Sequence, residues 1–251
     1  MTRWLTRKRR TFEMSRRVVG VDGGLVRIEQ RFSGTEEGVV LATAGSWFAS
    51  LVEVHRGELS FRTGLDVRNA GRRFLLYCPP RSIIRMPAGA AAVTTDGVGS
   101  LRLPEGLPRE PLALPLSDGD WSPTMERVAA LLARRGAVRI DADQGCDPRV
   151  IAARQLLVDK AFAALPVGGV ARQLGWHSSV LSRRFSQAYG ITPRNYCQRL
   201  RIHTSVMRLF TGVAITRVAF DVGFGDLSQF YRQFRRVTGE TPGRYREAGS
   251  G

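Results

Sequence analysis

Residues 215–246 read ITRVAFDVGFGDLSQFYRQFRRVTGETPGRYR, and residues 170–196 read VARQLGWHSSVLSRRFSQAYGITPRNY. The two stretches are copies of one pattern. Val170, Ala171, Leu174 and Gly175 recur 48 residues on as Val218, Ala219, Val222 and Gly223. With one extra residue in the second turn, Leu181, Arg183, Phe185, Gly190, Thr192, Pro193 and Tyr196 recur 49 residues on as Phe230, Arg232, Phe234, Gly239, Thr241, Pro242 and Tyr245. Self-similarity over so many positions outranks local propensity in choosing a fold.

Each copy reads as two helices meeting at an angle. Val167, Val170, Ala171 and Leu174 fall at i, i+3, i+4 and i+7, as do Ile215, Val218, Ala219 and Val222, so each first helix buries one stripe. Gly175 and Gly223 then stand where a helix ends and the backbone needs a left-handed residue, with Trp176 or Phe224 closing the corner. Ser178 and Asp226 are the expected N-caps of the second helices. In those helices Leu181 with Phe185, and Phe230 with Phe234, are i, i+4 pairs that face the first helix. Helix, glycine turn, helix is the helix-turn-helix unit, whose second helix enters the DNA major groove.

Charge points the same way. The 251 residues carry a net +16, unevenly spread. Residues 1–17 hold seven Lys/Arg against one Asp/Glu, residues 18–150 hold sixteen of each sign, and residues 151–251 hold fifteen against five. The polyanion-facing part is therefore the C-terminal hundred residues, with the basic arm TRKRR in support. A helical repeat that only packs would leave that charge and the Arg/Ser/Gln faces without purpose.

Before the repeat the reading changes. The runs RRVVGV, GLVRIEQRF, GVVLATAG, WFASLVEV, ELSFRT, RRFLLYC, SIIRM and AAAVTT, between about residues 17 and 100, have the composition of short β-strands. Residues 101–121 carry Pro104, Pro108, Pro111 and Pro115, with Pro123 just beyond, and read as a connector. Ser122 and Pro123 are the expected start of a helix bearing Met125, Val128, Leu131 and Leu132, and Asp147 with Pro148 opens another. The boundary between domains is expected at residues 136–147. The divisions are thus a basic arm at 1–17, a β-rich domain at 18–121, a helix and linker at 122–146 and a helical domain at 147–247. Met125, Val128, Leu132 and Arg135 are the expected dimerisation face of the 122–146 segment.

Several function classes are excluded or disfavoured. No stretch approaches the 18 apolar residues of a membrane span, and the N-terminus lacks the apolar centre of a secretory signal, so no membrane partner and a cytoplasmic location are expected. Cys78, Cys146 and Cys197 are far apart and read as plain thiols, neither a disulfide framework nor a zinc knuckle. His55 is the sole histidine before the helical region, which argues against a multi-histidine metal site. No nucleophile, base and orienting set appears, nor a phosphate-cradling glycine loop. The chain is read as no enzyme, with no cofactor.

The second copy, through the G-F-x-D-x-S-x-F run at Gly223–Phe230 and its terminal G-x-T-P-x-x-Y-R, resembles the AraC/XylS transcription regulators, and the first copy resembles the family's more degenerate unit. The resemblance spans about residues 148–247. It implies an α+β chain: an N-terminal β-rich, cupin-like domain that senses a small-molecule effector or dimerises, then an all-α domain of two helix-turn-helix units joined by a long helix, here TPRNYCQRLRIHTSVMRLFT. The family partners so implied are double-stranded DNA, RNA polymerase, an effector and a second copy of the chain in a homodimer; activation of transcription is the family's usual outcome. His203, Ser205 and Arg208 depart from the family pattern in the linking helix.

Position on the second helices nominates the readers. Ser179, Ser182 and Arg183 in the first unit, and Leu227, Ser228, Gln229, Tyr231 and Arg232 in the second, are the expected base contacts, since arginine donates twice to guanine and glutamine pairs with adenine. Arg184, Arg194, Arg235, Arg236 and Arg244 are expected at phosphates, which position a protein without specifying sequence. Two alternatives stand beside this reading: an architectural binder without sequence preference, and a regulator controlled by a protein partner instead of a small ligand.

Overall fold

The computed structural model describes residues 13–20, 26–33, 39–43, 45–56, 60–63, 66–69, 71–86, 92–100, 104–134, 137–143, 145–163 and 167–249. Among these residues eleven strands and eight helices run in chain order: β1 (Glu13–Gly20), β2 (Val26–Ser33), β3 (Val39–Ala42), β4 (Trp47–Arg56), β5 (Ser60–Thr63), β6 (Asp66–Asn69), β7 (Arg73–Cys78), β8 (Ile83–Met86), β9 (Ala92–Ser100), β10 (Leu112–Pro115), α1 (Met125–Leu132), β11 (Val138–Arg139), α2 (Pro148–Asp159), α3 (Val167–Gln173), α4 (Ser178–Tyr189), α5 (Pro193–Phe210), α6 (Ile215–Asp221), α7 (Leu227–Thr238) and α8 (Pro242–Gly249). The β-rich half precedes the helical half, which is the α+β order expected.

A seven-stranded antiparallel sheet, in the order β1-β2-β9-β4-β7-β10-β11, forms the body of the first half, flanked by the pairs β3-β8 and β5-β6. Trp47, Leu51, Leu75, Tyr77, Val98, Leu112 and Leu114 fill its core, and α1 lays Val128, Leu131 and Leu132 onto it. Three expectations need correction. The proline-rich connector contains β10, whose Leu112–Pro115 pairs with Tyr77–Phe74 of β7, because a prolyl residue is tolerated at a strand's end. The expected boundary contains β11, which closes onto β10, and Ile140 N donates to Pro111 O at 2.8 Å. Val128 and Leu132 are buried in the chain's own core and cannot form the outer face of a dimer; Arg135 lies outside the described residues.

Helix starts also shift. Thr124, not Ser122, caps α1, its Oγ1 accepting from Arg127 N at 3.3 Å. β1 begins at Glu13, so the last five residues expected in the arm are paired with β2, while residues 1–12 lie outside the described residues.

The two halves meet over named side chains. Ile83 of β8 joins the core of the first helical unit. Arg154 of α2 donates through Nη1 to Arg81 O at 2.9 Å, and Arg81, which holds φ at +68°, pairs through its own side chain with Asp159. Ser46 Oγ and His203 Nδ1 of α5 lie 3.1 Å apart, and a Cβ built on Gly99 of β9 would come within 2.9 Å of Met207 Cε. The departure at His203 thus serves the contact between the halves.

Candidate nucleic-acid interface

The repeat becomes two helix-turn-helix units of matching dimensions. Helices α3 and α6 start 48 residues apart, and α4 and α7 start 49 apart and have the same length. Gly175 and Gly223, at φ +68° and +86°, make the two turns. Asp226 caps α7, its Oδ1 accepting from Gln229 N at 2.7 Å. The first unit corrects the expectation: His177, extended at φ −70° and ψ 148°, takes the cap position without a side-chain bond. Ser178 already belongs to the helix, its Oγ directed toward Gly168 of α3.

The buried faces set the exposed ones. In α4, Leu181, Phe185 and Tyr189 are buried, and Phe185 meets Tyr189 and Tyr196 with ring centroids 4.7 and 5.5 Å apart. In α7, Phe230 and Phe234 are buried, and edge contacts run from Phe224 to Phe230, from Phe234 to Tyr245 and on to Phe210. Arg183 and Arg232 lie two residues past Leu181 and Phe230, roughly 200° around the helix, and are exposed. Neither has an ion pair or hydrogen-bond partner among the described residues. Ser179, Ser228 and Tyr231 are exposed, Ser182 and Gln229 half-buried. Leu227 is also half-buried and packs on the second unit's core, which leaves only part of it for a base.

The expected phosphate arginines divide into two groups. All five are exposed, and Arg194 and Arg235 have no partner among the described residues. Arg184 Nη1 bonds Asp147 Oδ2 at 2.7 Å and stands over the Trp176 ring, as does Arg149. Arg236 donates to Gln198 Oε1 at 3.1 Å and Arg244 to Glu240 Oε1 at 3.0 Å. These last bonds are exposed and cheap to exchange for a phosphate.

Sequence reasoning missed the residues that hold the units in place. Asp143, just before α2, accepts from Tyr189 Oη at 2.7 Å and from Nε and Nη2 of Arg154, thereby tying the end of α4 to the junction of the two halves. Desolvation opposes the charge on Arg154, but the hydrogen bond and charge of Asp143 more than offset it and hold the pKa above arginine's ordinary value. Arg201 of α5 donates to Ala161 O, Gly223 O and Ala163 O at 2.7, 2.6 and 3.1 Å. Burial lowers its pKa from the ordinary value. The signal in the sequence was a lone cation between Leu200 and Ile202, both buried. At the junction a cleft of about 860 Å³ opens, lined in part by Pro79, Arg81, Arg139, Asp141, Asp143 and Arg154. No group of three or more His, Cys, Asp or Glu side chains fit for a metal occurs among the described residues, and no helix among them is long and apolar enough to cross a membrane.

A helix-turn-helix domain model matches residues 170–248. An uncharacterized HTH-type transcriptional regulator of Staphylococcus aureus is 30% identical over 83 residues, 33% of this chain and 11% of that protein. The HTH-type transcriptional activator RhaS of Escherichia fergusonii is 29% identical over 118 residues, 47% of this chain and 42% of RhaS. The chain therefore spans about a tenth of the staphylococcal relative and about two fifths of RhaS. Among solved structures, the C-terminal domain of AraT, a response regulator from Geobacillus stearothermophilus, is 25% identical with a TM-score of 0.39, covering 41% of this chain and 88% of that one. ToxT from Vibrio cholerae is 12% identical with a TM-score of 0.47, covering 95% of this chain and 99% of that one.

Proposed function

We propose that the chain, through its C-terminal helix-turn-helix domain, is a transcription regulator of the AraC/XylS kind that reads a specific promoter or operator with α4 and α7 in successive major grooves. One observation carries the reading. Two helices of equal length present arginines that have no partner among the described residues, at equivalent positions and at opposite ends of an 18-residue helix, α5, about 27 Å long. That length approaches the roughly 34 Å of one DNA turn, so both readers meet the same face of one duplex.

Arg183 and Arg232 supply the guanine contacts, with Ser179, Ser182, Ser228, Gln229, Tyr231 and the free edge of Leu227 around them. Arg184, Arg194, Arg235, Arg236 and Arg244 hold phosphates on either side. The N-terminal domain carries the signal. An effector in the junction cleft would touch Arg81 and Arg154, and Arg154 shares Asp143 with Tyr189 of the first reading helix. RNA polymerase is the partner through which bound protein acts on transcription.

Selection of bound oligonucleotides from a random pool by the full chain tests this. The expected return is a motif of two elements centred about one helical turn apart. A pool recovered without enrichment, bound only through its charge, would reassign the chain to sequence-independent binding.

A further inference from the structure

The two reading helices belong to different units, so their joint fit to DNA depends on the angle between units, and α5 alone does not fix an angle about its own axis. Arg201 lies near the middle of α5 and its guanidinium reaches both sides. Nε and Nη2 donate to Ala161 O and Ala163 O, in the turn after α2 of the first unit, while Nη1 donates to Gly223 O in the turn of the second. The guanidinium carbon also stands 5.8 Å from the centre of the Phe224 ring. The planar fork of arginine suits three fixed acceptors, and a lysine ammonium cannot span them together.

The same place shows backbone against backbone. A Cβ on Gly223 would lie 2.5 Å from Phe162 O, between the two carbonyls that Arg201 binds from the first unit. Gly223 therefore answers two demands, a left-handed turn and room for the neighbouring unit. Gly175, its counterpart in the first copy, has nothing within 4 Å of a built Cβ. The contact is a feature of the pair of units and of neither alone.

We propose that Arg201, with Gly223 giving it room, is the positioning residue that locks the angle between the two helix-turn-helix units and so sets the spacing of the two DNA elements the chain accepts. This rests on the two-element reading above. Arg201 touches no base; it acts through α4 and α7.

Two readouts test it on the full chain. In the first, spin labels at Gln187→Cys and Thr216→Cys, with Cys146→Ser and Cys197→Ala, report the distance between units without DNA. A single narrow distribution is expected, broadened or shifted by R201M. An unchanged distribution in folded R201M, or a broad one in the parent, overturns the proposal. In the second, the selected motif is rebuilt with one base pair inserted or deleted between its elements. The unsubstituted chain is expected to lose roughly tenfold or more in affinity, and R201M to bind the native spacing more weakly and lose less than about threefold on the change. Equal spacing penalties in both chains overturn it. A motif of one element would refute the two-element reading, while the label distances would still decide whether Arg201 fixes the angle. Should R201M not fold, the same measurements are made on R201K, which keeps the charge and loses the fork.

Discussion

Arg183 and Arg232 occupy one position in the repeat and differ in their surroundings. Arg183 follows a helix start without a side-chain cap, whereas Arg232 follows the capped start at Asp226 and sits beside the exposed ring of Tyr231. If Arg183 reads a guanine edge, Arg183→Ala is expected to cost about 1–3 kcal/mol at the selected site and to relax preference at one base pair. Arg232→Ala is expected to change preference less. Oligonucleotide selection with each variant checks both, and an Arg183→Ala motif identical to the parent's would remove it from the readers. The thiols give a second residue-scale expectation. Burial pushes the Cys197 pKa up to about 11 and raises that of the buried Cys78 well above the ordinary thiol value. At pH 8 roughly one Cys197 in a thousand is thiolate, so iodoacetamide should modify it far more slowly than an unfolded control. Peptide mass spectrometry over a time course reads this directly; rapid labelling of the native chain would contradict the burial.

At the scale of elements, the two glycine turns are the sharpest comparison. Both hold φ values that cost a non-glycine residue about 1–2 kcal/mol, and only at Gly223 does a methyl group also meet a backbone oxygen. Gly223→Ala is therefore expected to lower the melting temperature clearly more than Gly175→Ala, and scanning calorimetry on the two variants decides it. The helices of both units were legible in sequence because they rest on local chemistry: i, i+4 apolar pairs, a turn glycine and, at Asp226, an aspartate cap. Position on those helices also revealed that Ser179, Arg183, Ser228, Tyr231 and Arg232 face outward, while Ser182, Leu227 and Gln229 are half-buried. What was not legible rests on contacts distant in sequence. Strands β10 and β11 are four and two residues long and exist because β7 pairs with the first and the first with the second. The acceptors of Arg201 lie 22 to 40 residues away in the chain. The cap of α4 was misplaced by one residue because Ser178 has the chemistry of a cap, whereas His177 takes the cap position and Ser178 is already helical.

For the whole molecule, the charge step at about residue 150 motivates a test of whether the helical half folds alone, and the bonds of Asp143 bear on where its edge should be cut. A fragment of residues 147–251 is expected to fold and bind DNA, losing about a thousandfold in affinity between 50 and 200 mM salt if six or more phosphates are neutralised. It lacks Asp143, leaving the mostly buried Arg154 and the hydroxyl of Tyr189 without their acceptor. A fragment of residues 141–251 restores it and is expected to be more stable by on the order of 2 kcal/mol. Denaturant titration of the two fragments measures the difference; equal midpoints would mean the Asp143 bonds add nothing in isolation.

The closure of β11 onto β10 also bears on how such a chain can be inherited in parts. Val138, Arg139 and Ile140 are bonded to the sheet, whereas Asp143 is bonded to α2 and α4. A crossover at residue 121 would set β11 of one parent against β10 of the other. A crossover between Ile140 and Asp143 cuts no ladder among the described residues and keeps Asp143 with Arg154, while it parts Arg81 from Asp159 and Arg154. The β-rich half is thus longer than its strand-rich sequence suggests, and recombinants joined at Asp141 are expected to keep the strand pairing of that half and the Asp143 bonds of the other.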